Sequence, residues 1–458
     1  MTEKILELLE QKAFKKLREL ILDINPIDIA PVFEELDPEK RLLLFRLLPK
    51  EYAAEIFVEF DGDMQESLIK SLGDKELKAV MDELYLDDAV DIIEEMPAGI
   101  VKKILRGADR ETRKTINELL KYPKDSAGSL MTPEFVDLKK QMTVSEAFDR
   151  IRKTGTDKET IYTCYVTDPG RKLEGIVTVK DLLLAKADDK IEDIMETNVI
   201  FSGTLDDKED VARLFNKYDF LVVPVVDKEN RLVGIITFDD AMDVIEDENT
   251  EDIEKMAAII PNDKPYLKTG IFDTFKKRIP WLMILMISAT FTGSIISGFE
   301  DKLKSLVILT SFIPMLMDTG GNSGSQASVT IIRGLSLNEI SLSDIFKVIW
   351  KELRVGIFCG AALGVINYIK IMLVDYSLLG TFGGYDFSTS SVIALTVCLT
   401  MALTIIIAKL IGCTLPILAE ALHLDPAVMA SPFITTIVDA ISLLIYFSMS
   451  NVFLGYLM

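Results

Sequence analysis

The sequence predicts a multidomain membrane protein with an N-terminal all-α solenoid, a tandem α/β repeat, a connecting helix and a five-helix transmembrane domain. Three observations support this fold class. Residues 281–458 alternate long apolar runs with short polar joints, whereas residues 1–280 are rich in charge. A strand-and-helix pattern occurs twice between residues 126 and 253. The length of 458 residues is also more than one domain usually holds.

The negative charge is concentrated in the first part of the chain. The net charge is −22, and residues 281–458 hold 11 acidic and 8 basic residues, so residues 1–280 carry −19 of it. Such a surface repels nucleic acid and anionic lipid, which excludes nucleic acid as a partner, and it concentrates cations. Simple solubility is the alternative explanation for the acidic surface.

The sequence offers little for zinc, redox or enzymatic chemistry. His423 is the only histidine, which argues against zinc sites and histidine acid-base catalysis. The four cysteines form no Cys-x-x-Cys pair, and we predict small buried side chains in a reducing compartment. Neither a nucleophile–base pair nor a His-Glu-x-x-His motif is found, so we predict that the protein is not an enzyme.

Residues 1–125 are predicted to form a small acidic helical solenoid. In segments such as "PEKRLLLFRLLPKEYAAEIFVEF", apolar residues recur at three- and four-residue spacing, as in amphipathic helices. Similar short units follow one another, which is typical of a helical repeat. Taken alone, this block would be interpreted as a protein-interaction module.

Residues 126–190 and 191–253 carry the α/β repeat. "KLEGIVTVKDLL" in the first copy corresponds to "RLVGIITFDDAM" in the second. Each copy is predicted to contain a strand, an amphipathic helix, two strands and a helix. The two copies resemble a tandem pair of CBS domains, which we number CBS 1 and CBS 2.

CBS pairs commonly bind adenine nucleotides, and aspartates placed like Asp181 and Asp240 then accept the ribose hydroxyls. Alternatively, each aspartate caps the helix that it opens. Lys180 stands where nucleotide-binding relatives have arginine, and Thr163 stands where an aromatic side chain could stack on adenine. Because both departures weigh against ATP, binding at Lys180 and Asp181 is a secondary hypothesis.

An acidic segment and a connecting helix lead from the repeat to the apolar half. Residues 239–252 contain eight acidic residues and no basic one. Like charges at helical spacing repel one another, and divalent cations bound between them would offset the repulsion. A solvated linker is the alternative. Residues 254–280 are predicted to form the connecting helix, and this position favours a charge switch that acts on the membrane spans.

Five apolar runs are long enough to cross a bilayer, at about 281–299, 305–332, 348–374, 389–415 and 427–456. Basic residues lie before the first run, around the joint after the second run and near the last: Lys276, Lys277, Arg278, Arg333, Lys347, Lys351, Arg354 and Lys409. The positive-inside rule therefore places the acidic half in the cytoplasm. Five spans of a multi-pass cell-membrane protein then put the C-terminus outside.

The fifth run, with "SPFITTIVDAISLLIYF", contains Asp439 near mid-bilayer depth. A charge at that depth costs at least about 2.5 to 3.5 kcal/mol, and intramembrane acids usually face a pathway, an ion or a partner. A protonated carboxyl group hydrogen-bonded to a neighbouring helix is the alternative.

The second run contains the polar stretch "PMLMDTGGNSGSQAS". Its glycines fit close helix packing, whereas its oxygen and amide groups need another explanation. These groups belong to Asp318, Asn322, Ser325 and Gln326, which we predict to line a pore. An oxygen-rich set without thiolate or imidazole suits a hard cation such as magnesium, bound through its water shell.

The order of these modules, with "PMLMDTGGNSGSQAS" in the second span and "SPFITTIVDA" in the fifth, resembles the MgtE family of magnesium channels over essentially the whole chain. The resemblance implies a homodimer with the pore on its axis, where Asp439 recognises hydrated magnesium. It also implies that intracellular magnesium binds the cytoplasmic domains and holds the pore shut. Asp318 stands where some members have glycine, and it is a further candidate at the pore mouth.

The resemblance implies regulatory magnesium ligands in the helical block, in CBS 2 and in the acidic segment: Glu55, Asp87, Asp91, Glu209, Asp219, Asp240, Asp243, Glu248, Glu251 and Asp252. We therefore predict a magnesium-selective channel that imports Mg²⁺ down the membrane potential and is closed by intracellular Mg²⁺. One alternative is a proton- or sodium-coupled divalent-cation transporter. Another is a membrane-anchored nucleotide or ion sensor, which would carry no flux.

Overall fold

The computed structural model describes residues 2–262 and 264–455. These residues form two compact units, of which the first ends at Ile245 and the second begins at Glu246. The two units are described separately below.

The first unit begins with a block of short helices. Its helices are α1 Thr2–Glu10, α2 Phe14–Leu22, α3 Pro26–Glu35, α4 Pro38–Leu47, α5 Lys50–Val58, α6 Gly62–Ser71, α7 Asp74–Met81, α8 Leu86–Glu95, α9 Ala98–Gly107 and α10 Arg110–Leu119. Alternate helices pack on one another: α3 on α5, α5 on α7 and α7 on α9 form one row, and α4, α6, α8 and α10 form the other.

A twelve-residue period underlies this block. The residues that precede α2 to α10 are Ala13, Asn25, Asp37, Pro49, Asp61, Gly73, Tyr85, Pro97 and Asp109, so successive helices begin twelve residues apart. Four of them, the asparagine and the three aspartates, accept a hydrogen bond from a backbone N–H of the helix that follows. The residue directly before several caps is a buried apolar side chain, as at Leu36, Phe60 and Leu72.

The α/β repeat follows in the same unit. Its first copy contains α11 Ala127–Leu130, β1 Asp137–Leu138, α12 Val144–Thr154, β2 Thr163–Thr167, β3 Leu173–Thr178 and α13 Val179–Leu184. Its second copy contains α14 Ile191–Ile194, β4 Ser202–Gly203, α15 Lys208–Tyr218, β5 Val222–Val226, β6 Leu232–Thr237 and the start of α16 Phe238–Met256. Each copy has a three-stranded sheet with one parallel and one antiparallel pair, in the orders β1-β2-β3 and β4-β5-β6.

The second unit is helical. After the end of α16 it contains α17 Ile271–Gly298, α18 Glu300–Ser305, α19 Ile313–Ser336, α20 Ile345–Lys370, α21 Phe387–Ala421 and α22 Ser431–Leu454. Short 3₁₀ turns join some of these helices, and a π-helix, Ile371–Leu378, extends α20.

Four segments of this unit are long and apolar enough to cross a membrane: Ile271–Gly298, Leu342–Leu378, Phe387–Ala421 and Pro426–Leu454. They correspond to the predicted first, third, fourth and fifth runs. The predicted second run contains α19, a helix of 24 residues that includes the polar stretch. Its glycines and polar side chains lower its hydropathy, so α19 does not qualify as a span by composition alone.

The prediction of one connecting helix over 254–280 is wrong in its extent. The helix α16 continues to Met256, and α17 begins only at Ile271. Pro261, Pro265 and Gly270 lie between them, and both residue types are unfavourable inside a helix. The acidic segment, residues 239–252, lies entirely within α16 and forms most of that helix.

The centre of the second unit is formed by α19, α21 and α22, with α20 packed on α21 and α17 on α22. The contact between α19 and α21 needs glycine on both sides. A Cβ atom on Gly412 would lie 2.2 Å from the carbonyl oxygen of Gly324. The prediction that glycines of the polar stretch serve close helix packing is therefore confirmed for Gly324.

Candidate functional sites

A polar cavity lies between α19 and α22 in the second unit. Its volume is about 460 Å³, and its lining residues are Ile313, Pro314, Met317, Asp318, Gly321, Asn322, Thr435 and Asp439. The Oδ1 atom of Asp318 accepts a hydrogen bond of 3.0 Å from Nδ2 of Asn322, one helical turn later. Two carboxylates and an amide predicted from sequence thus face one space.

The polar stretch of α19 also presents an exposed face. Asp318, Asn322 and Gln326 follow one another at four-residue spacing, and all three are exposed in the single chain. Four-residue spacing places them along one side of the helix. Ser325 is half-buried, and neither it nor Gln326 is among the residues that line the cavity.

Asp439 lies near the middle of the candidate span Pro426–Leu454. Within the described residues, no lysine or arginine forms an ion pair with it. Lys409, predicted to lie with the cytoplasmic basic residues, is buried instead, and its Nζ lies 3.9 Å from a carboxylate oxygen of buried Glu352. The charge of Lys409 is thus directed toward α20.

A second cavity, which we call the acidic cavity, lies within the first unit. Its volume is about 790 Å³, and the described residues that line it include twelve acidic side chains and no basic one. The acidic side chains are Glu51, Glu55, Glu59, Asp82, Glu83, Asp87, Asp88, Glu134, Asp157, Glu159, Asp239 and Asp240.

Three carboxylates of the acidic cavity converge. Each of Asp87, Glu134 and Glu159 offers one oxygen, and these oxygens lie within 4.8 Å of one another. Asp87 is in the first turn of α8, and Glu134 caps the same helix by accepting a hydrogen bond of 3.1 Å from the N–H of Leu86. The N–H of Glu159 donates to the carbonyl oxygen of Glu134 at 3.0 Å, which brings the two glutamates together.

Hydrogen bonds from the described residues do not satisfy all three converging carboxylates. The Oε2 atom of Glu159 is buried and has no hydrogen-bond partner among the described residues. Opposite ligands of a magnesium ion lie about 4.2 Å apart. The three oxygens lie within 4.8 Å of one another, so small movements toward a common centre would let them share one ion. All three candidate metal ligands are carboxylate oxygens, which suit a hard cation.

Burial and mutual repulsion raise the pKa values of these acids. Burial, followed by repulsion from Asp240 and Glu159, raises the pKa of Asp87 to about 9. Burial, followed by repulsion from Asp240 and Asp88, raises the pKa of Glu159 to about 8. Burial also raises the pKa of Asp240 to about 6, although a hydrogen bond from Thr237 opposes the shift. A bound cation would remove the cause of the repulsion.

Besides Asp87, four further predicted regulatory residues lie in or beside the acidic cavity. Glu55 and Asp240 line it. Asp91 follows Asp87 by one helical turn, and its pKa is raised to about 7 by desolvation and by repulsion from Asp240. Asp243 acts on the lining residue Glu59, whose pKa is raised by burial and then by this repulsion.

The other predicted regulatory residues lie elsewhere. Glu209 forms an ion pair with Arg213 on α15, and Asp219 ends that helix in a left-handed conformation with φ 56°. Neither is among the described residues that line the acidic cavity. Glu248, Glu251 and Asp252 belong to the part of α16 that lies in the second unit.

Sequence reasoning missed several members of the acidic cavity. Glu59 directly follows α5, and Asp88 and Asp239 lie on α8 and α16. All three are close in sequence to predicted residues, and this adjacency was an available signal. Glu134 and Glu159 lie in the first α/β copy, outside its regular strands, and they approach α8 only through tertiary folding. Neither periodicity nor motif spacing indicates them.

The hypothetical nucleotide residues have a structural role in this fold. Asp181 and Thr178 form a capping box at the start of α13, with Oγ1 of Thr178 donating to Oδ2 of Asp181 at 2.5 Å. Asp240 accepts from Oγ1 of Thr237 at 2.6 Å in the second copy. Helix capping, the alternative given for both aspartates, is therefore observed. Lys180 is exposed beside Asp181, and Thr163 begins β2.

Protein-family models match the helical block, the α/β repeat and the second unit separately. Residues 313–449 match the MgtE family, described as a divalent cation transporter, and residues 24–125 match the MgtE intracellular N domain. Residues 127–188 and 191–247 each match the CBS domain.

Curated relatives match over nearly their whole length. The magnesium transporter MgtE of Thermus thermophilus is 36% identical over 452 residues, which cover 98% of this chain and 97% of the relative. The magnesium transporter MgtE of Bacillus subtilis is 34% identical with the same coverage. The predicted resemblance is thus confirmed.

Solved structures match the first half of the chain. The crystal structure of the cytosolic domain of the Mg²⁺ channel MgtE in complex with ATP has 37% identity and a TM-score of 0.51, covering 53% of this chain and 100% of that one. The soluble part of a magnesium transporter has 32% identity and the same TM-score. With family models and full-length relatives in agreement, this chain belongs to the MgtE family of divalent cation transporters.

Proposed function

We propose that the protein is a homodimeric magnesium channel of the cell membrane, with the cavity that contains Asp439 as part of its pore. The observation that carries the proposal is the meeting of Asp439, Asp318 and Asn322 in one cavity of about 460 Å³. Magnesium gives up its waters reluctantly, so a wide site with one or two carboxylates suits a hydrated ion. Relatives named as magnesium transporters support the choice of ion.

A second copy of the chain would complete the pore. The exposed face of Asp318, Asn322 and Gln326 cannot lie against lipid without a large cost, so it needs water or another protein surface. None of the side chains of α17 is buried by the single chain, which leaves further surface for a partner copy or lipid. Pore and dimer interface would then share α19.

The proposed topology has five spans, formed by α17, α19, α20, α21 and α22. Residues 1–125 would form a solenoid that lies in the cytoplasm with CBS 1, residues 126–190, and CBS 2, residues 191–253. Residues 254–280 would connect them to the pore domain, residues 281–458, and the C-terminus would lie outside. The match of residues 24–125 to an intracellular domain supports this orientation.

We further propose that intracellular magnesium closes the pore by binding in the acidic cavity. Asp87, Glu134 and Glu159 supply one site, and Glu55, Asp91, Asp240 and Asp243 contribute charge around it. Ions bound there stabilise the conformation that holds the carboxylates together by an amount that grows with ion concentration. Each ion biases gating only through its differential affinity for that conformation, so several moderate sites act together. Glu209, Asp219, Glu248, Glu251 and Asp252 are retained as proposed regulatory residues outside the cavity.

The membrane potential would drive the inward flow. It contributes about 2.3 kcal/mol per charge for each 100 mV, and about twice that for a divalent ion. A coupled second ion is therefore not needed for uptake.

Magnesium flux into proteoliposomes tests the proposal. We compare the wild type with Asp439→Asn, which removes the charge and keeps the shape, under an inside-negative potential. Glu420→Gln is the matched control, because Glu420 is exposed at the end of α21 and does not line the cavity. We expect flux in the wild type and the control and at least a tenfold loss in Asp439→Asn. Equal flux in all three proteins would refute the pore site.

A proton- or sodium-coupled transporter is the second candidate. The observation in its favour is that two carboxylates, Asp318 and Asp439, face one cavity and could bind a second cation with the metal. A carrier predicts that a proton or sodium gradient alone drives magnesium uptake at zero potential. The channel predicts no such uptake.

Nucleotide binding by CBS 1 is a further proposal, at Lys180 and Asp181. The ATP complex of a relative's cytosolic domain supports it. In this chain Asp181 already caps α13, so a ribose would have to share its carboxylate. Titration of the purified protein with ATP, beside Asp181→Asn, tests the proposal, and equal affinities would contradict this site. A membrane-anchored sensor would bind the nucleotide and carry no magnesium flux.

A further inference from the structure

The first turns of α20 carry basic and aromatic side chains on one side of the helix. Lys347, Trp350, Lys351 and Arg354 are all exposed. Their three- and four-residue spacing places them along one side of an α-helix. The buried residues of α20 lie on the opposite side, which packs mainly on α21: Val348, Glu352, Gly356, Gly360 and Asn367. The basic side is thus turned away from the centre of the second unit.

An apolar surface continues the same side of α20. Phe358 follows Arg354 by one turn and Val365 follows two turns later, and both are largely exposed. The segment Leu342–Leu378 is long and apolar enough to cross a membrane, and residues 355–369 within it contain no charged side chain. A helix of that length rises about 22 Å, whereas the hydrocarbon core of a bilayer is about 30 Å thick. Arg354 therefore lies close to the boundary between hydrocarbon and headgroups, and its charged end extends toward the headgroups.

The protein balances only part of the positive charge at this boundary. Asp344 pairs through Oδ1 with Nζ of Lys347 at 2.7 Å and accepts a hydrogen bond from Ser341 through Oδ2. Lys351, in contrast, forms no ion pair within the described part of the chain. A cation near hydrocarbon is costly without a counter-charge, so Lys351 requires one from outside the chain.

Arg354 is held in place without being neutralised. Its guanidinium group lies 5.6 Å from the centre of the Trp350 ring, and its Nε donates to the carbonyl oxygen of Trp350 at 3.2 Å. Among the described residues, no carboxylate pairs with it. Both contacts fix the guanidinium beside the indole ring and leave its terminal nitrogens available to a ligand.

A phosphate group fits this set of side chains. Lys351 and Arg354 are about 4.5 Å apart along the helix axis, so two long side chains can reach one phosphate. Lysine and arginine both bind phosphate through charge-assisted hydrogen bonds. Tryptophan favours the depth of the headgroups, and acyl chains attached to the phosphate would run along Phe358 and Val365.

We propose that Trp350, Lys351 and Arg354 form a binding site for the headgroup of an anionic phospholipid in the cytoplasmic leaflet of the proposed topology. A zwitterionic headgroup brings its own cation, so it leaves the charge of Lys351 and Arg354 unbalanced. An anionic headgroup neutralises it. This lipid site goes beyond the proposed function, since it lies on the side of α20 that faces away from the cavity of Asp439.

Tryptophan fluorescence in bilayers of defined composition tests the proposal. The chain has two tryptophans, Trp281 and Trp350, so Trp281→Phe leaves Trp350 as the only reporter. The full-length protein is placed in bilayers that contain phosphatidylglycerol or phosphatidylcholine with brominated acyl chains, which quench a tryptophan in contact with them. The ratio of quenching by the two lipids gives their relative affinity for the site. Each variant is compared with itself, so a changed emission of Trp350 cancels in the ratio.

We expect phosphatidylglycerol to be preferred at least about fivefold, because each basic residue near an anionic surface strengthens the attraction by about that factor. Lys351→Gln and Arg354→Gln should each lower the preference by at least about twofold, and the double variant should bring it to about one. Lys351→Arg keeps the charge and should retain the preference. Both side chains are exposed, so these changes leave the packing of α20 on α21 in place.

The matched control is Lys276→Gln in the same Trp281→Phe protein. Lys276 is an exposed cation on α17, on the same proposed side of the membrane, and α17 packs on α22 rather than on α21. We expect an unchanged preference. Equal quenching by the two lipids in the Trp281→Phe protein would overturn the proposal. A loss in Lys276→Gln as large as that in Lys351→Gln would also overturn it, because the preference would then come from the general surface potential.

Inorganic phosphate separates a lipid headgroup from a soluble anion. Added phosphate, compared with chloride at equal ionic strength, should leave the preference unchanged, since it lacks the acyl chains. A preference that disappears in phosphate alone would overturn the assignment to lipid. The fluorescence reads lipid binding without magnesium flux, so failure of the channel proposal leaves this experiment decisive.

Discussion

The pKa values in the acidic cavity make a quantitative prediction about Asp87→Asn. Asp87 and Glu159 have pKa values of about 9 and about 8 when no cation is bound. At pH 7 both groups are therefore mostly protonated. Ionising them costs about 3 kcal/mol for Asp87 and about 1 kcal/mol for Glu159, because each pKa unit corresponds to roughly 1 kcal/mol. A metal that binds to both carboxylates must supply this free energy and release both protons.

Metal affinity should then depend steeply on pH. Each proton released on binding changes the affinity by about tenfold per pH unit below the pKa of the group. Asp87→Asn removes one of these protons, so the slope of log affinity against pH should fall by about one between pH 6.5 and 7.5. The same variant should also bind magnesium more weakly above pH 9, where the wild-type carboxylate is already ionised.

Isothermal titration calorimetry in buffers of different ionisation enthalpy counts the protons directly. We expect the wild type to release about one proton more per saturating dose of magnesium than Asp87→Asn at pH 7. Asp74→Asn is the control, because it removes an exposed charge from α7 outside the cavity and should leave the count unchanged. Equal proton release by wild type and Asp87→Asn would refute the assignment of Asp87 as a cation ligand.

Three further results are expected. Because the carboxyl pKa values in the acidic cavity are raised, the cation-free folded protein keeps protons that the unfolded chain has lost above pH 4. The melting temperature of the first unit should therefore fall as pH rises toward 8, and magnesium should restore it most at the higher pH. A melting temperature that rises over this window would contradict the pKa shifts. Gly412→Ala should destabilise the packing of α19 on α21 by about 1 to 3 kcal/mol, because its Cβ would lie 2.2 Å from the oxygen of Gly324, whereas Gly293→Ala meets open space and should be neutral in the same denaturation assay. Lys409→Met should destabilise the second unit by about 3 kcal/mol, because it leaves Glu352 buried without its cation. Adding Glu352→Leu should recover most of this loss. If the free-energy changes of the two single variants simply add in the double variant, the two charges do not interact.

Much of the fold follows from local patterns in the sequence. The α/β repeat was predictable because each copy ends in a Gly-Ile/Val-x-Thr-x-x-Asp segment, and the structure gives both copies the same sheet order. Four apolar runs were predictable from hydropathy alone. The twelve-residue period of the helical block was visible only as similar short units, because its caps vary among asparagine, aspartate, proline, glycine and tyrosine.

The break between α16 and α17 shows where pattern reasoning failed. The sequence 264–278 alternates apolar and polar residues in a way that fits a helix, but Pro265 and Gly270 interrupt it, and the chain turns there. The acidic segment, in contrast, forms a helix despite its repulsion. The capping contact between Thr237 and Asp240 and the ion pair between Glu251 and Lys255 contribute to its stability.

Some residues of the candidate sites could be predicted from the sequence, and others could not. Asp439, Asp318 and Asn322 could be predicted, because a polar group in an apolar run is conspicuous and the helix places residues four apart on one side. Glu134 and Glu159 could not, since an acidic residue in a soluble domain is ordinary until tertiary folding brings it against another carboxylate. The ion pair between Lys255 and Asp425 could not be predicted either, because the two residues are far apart in the sequence.

Electrical recording from the purified protein in planar bilayers tests the central claim most directly. Wild type and Asp439→Asn are compared while magnesium is raised stepwise on the side of the bilayer that holds the acidic N-terminal domains. We predict unitary magnesium currents in the wild type that fall as magnesium rises on that side, and none in the variant. Wild-type currents that persist unchanged in Asp439→Asn, or a wild type without unitary currents at any magnesium concentration, would contradict a channel with its pore at Asp439.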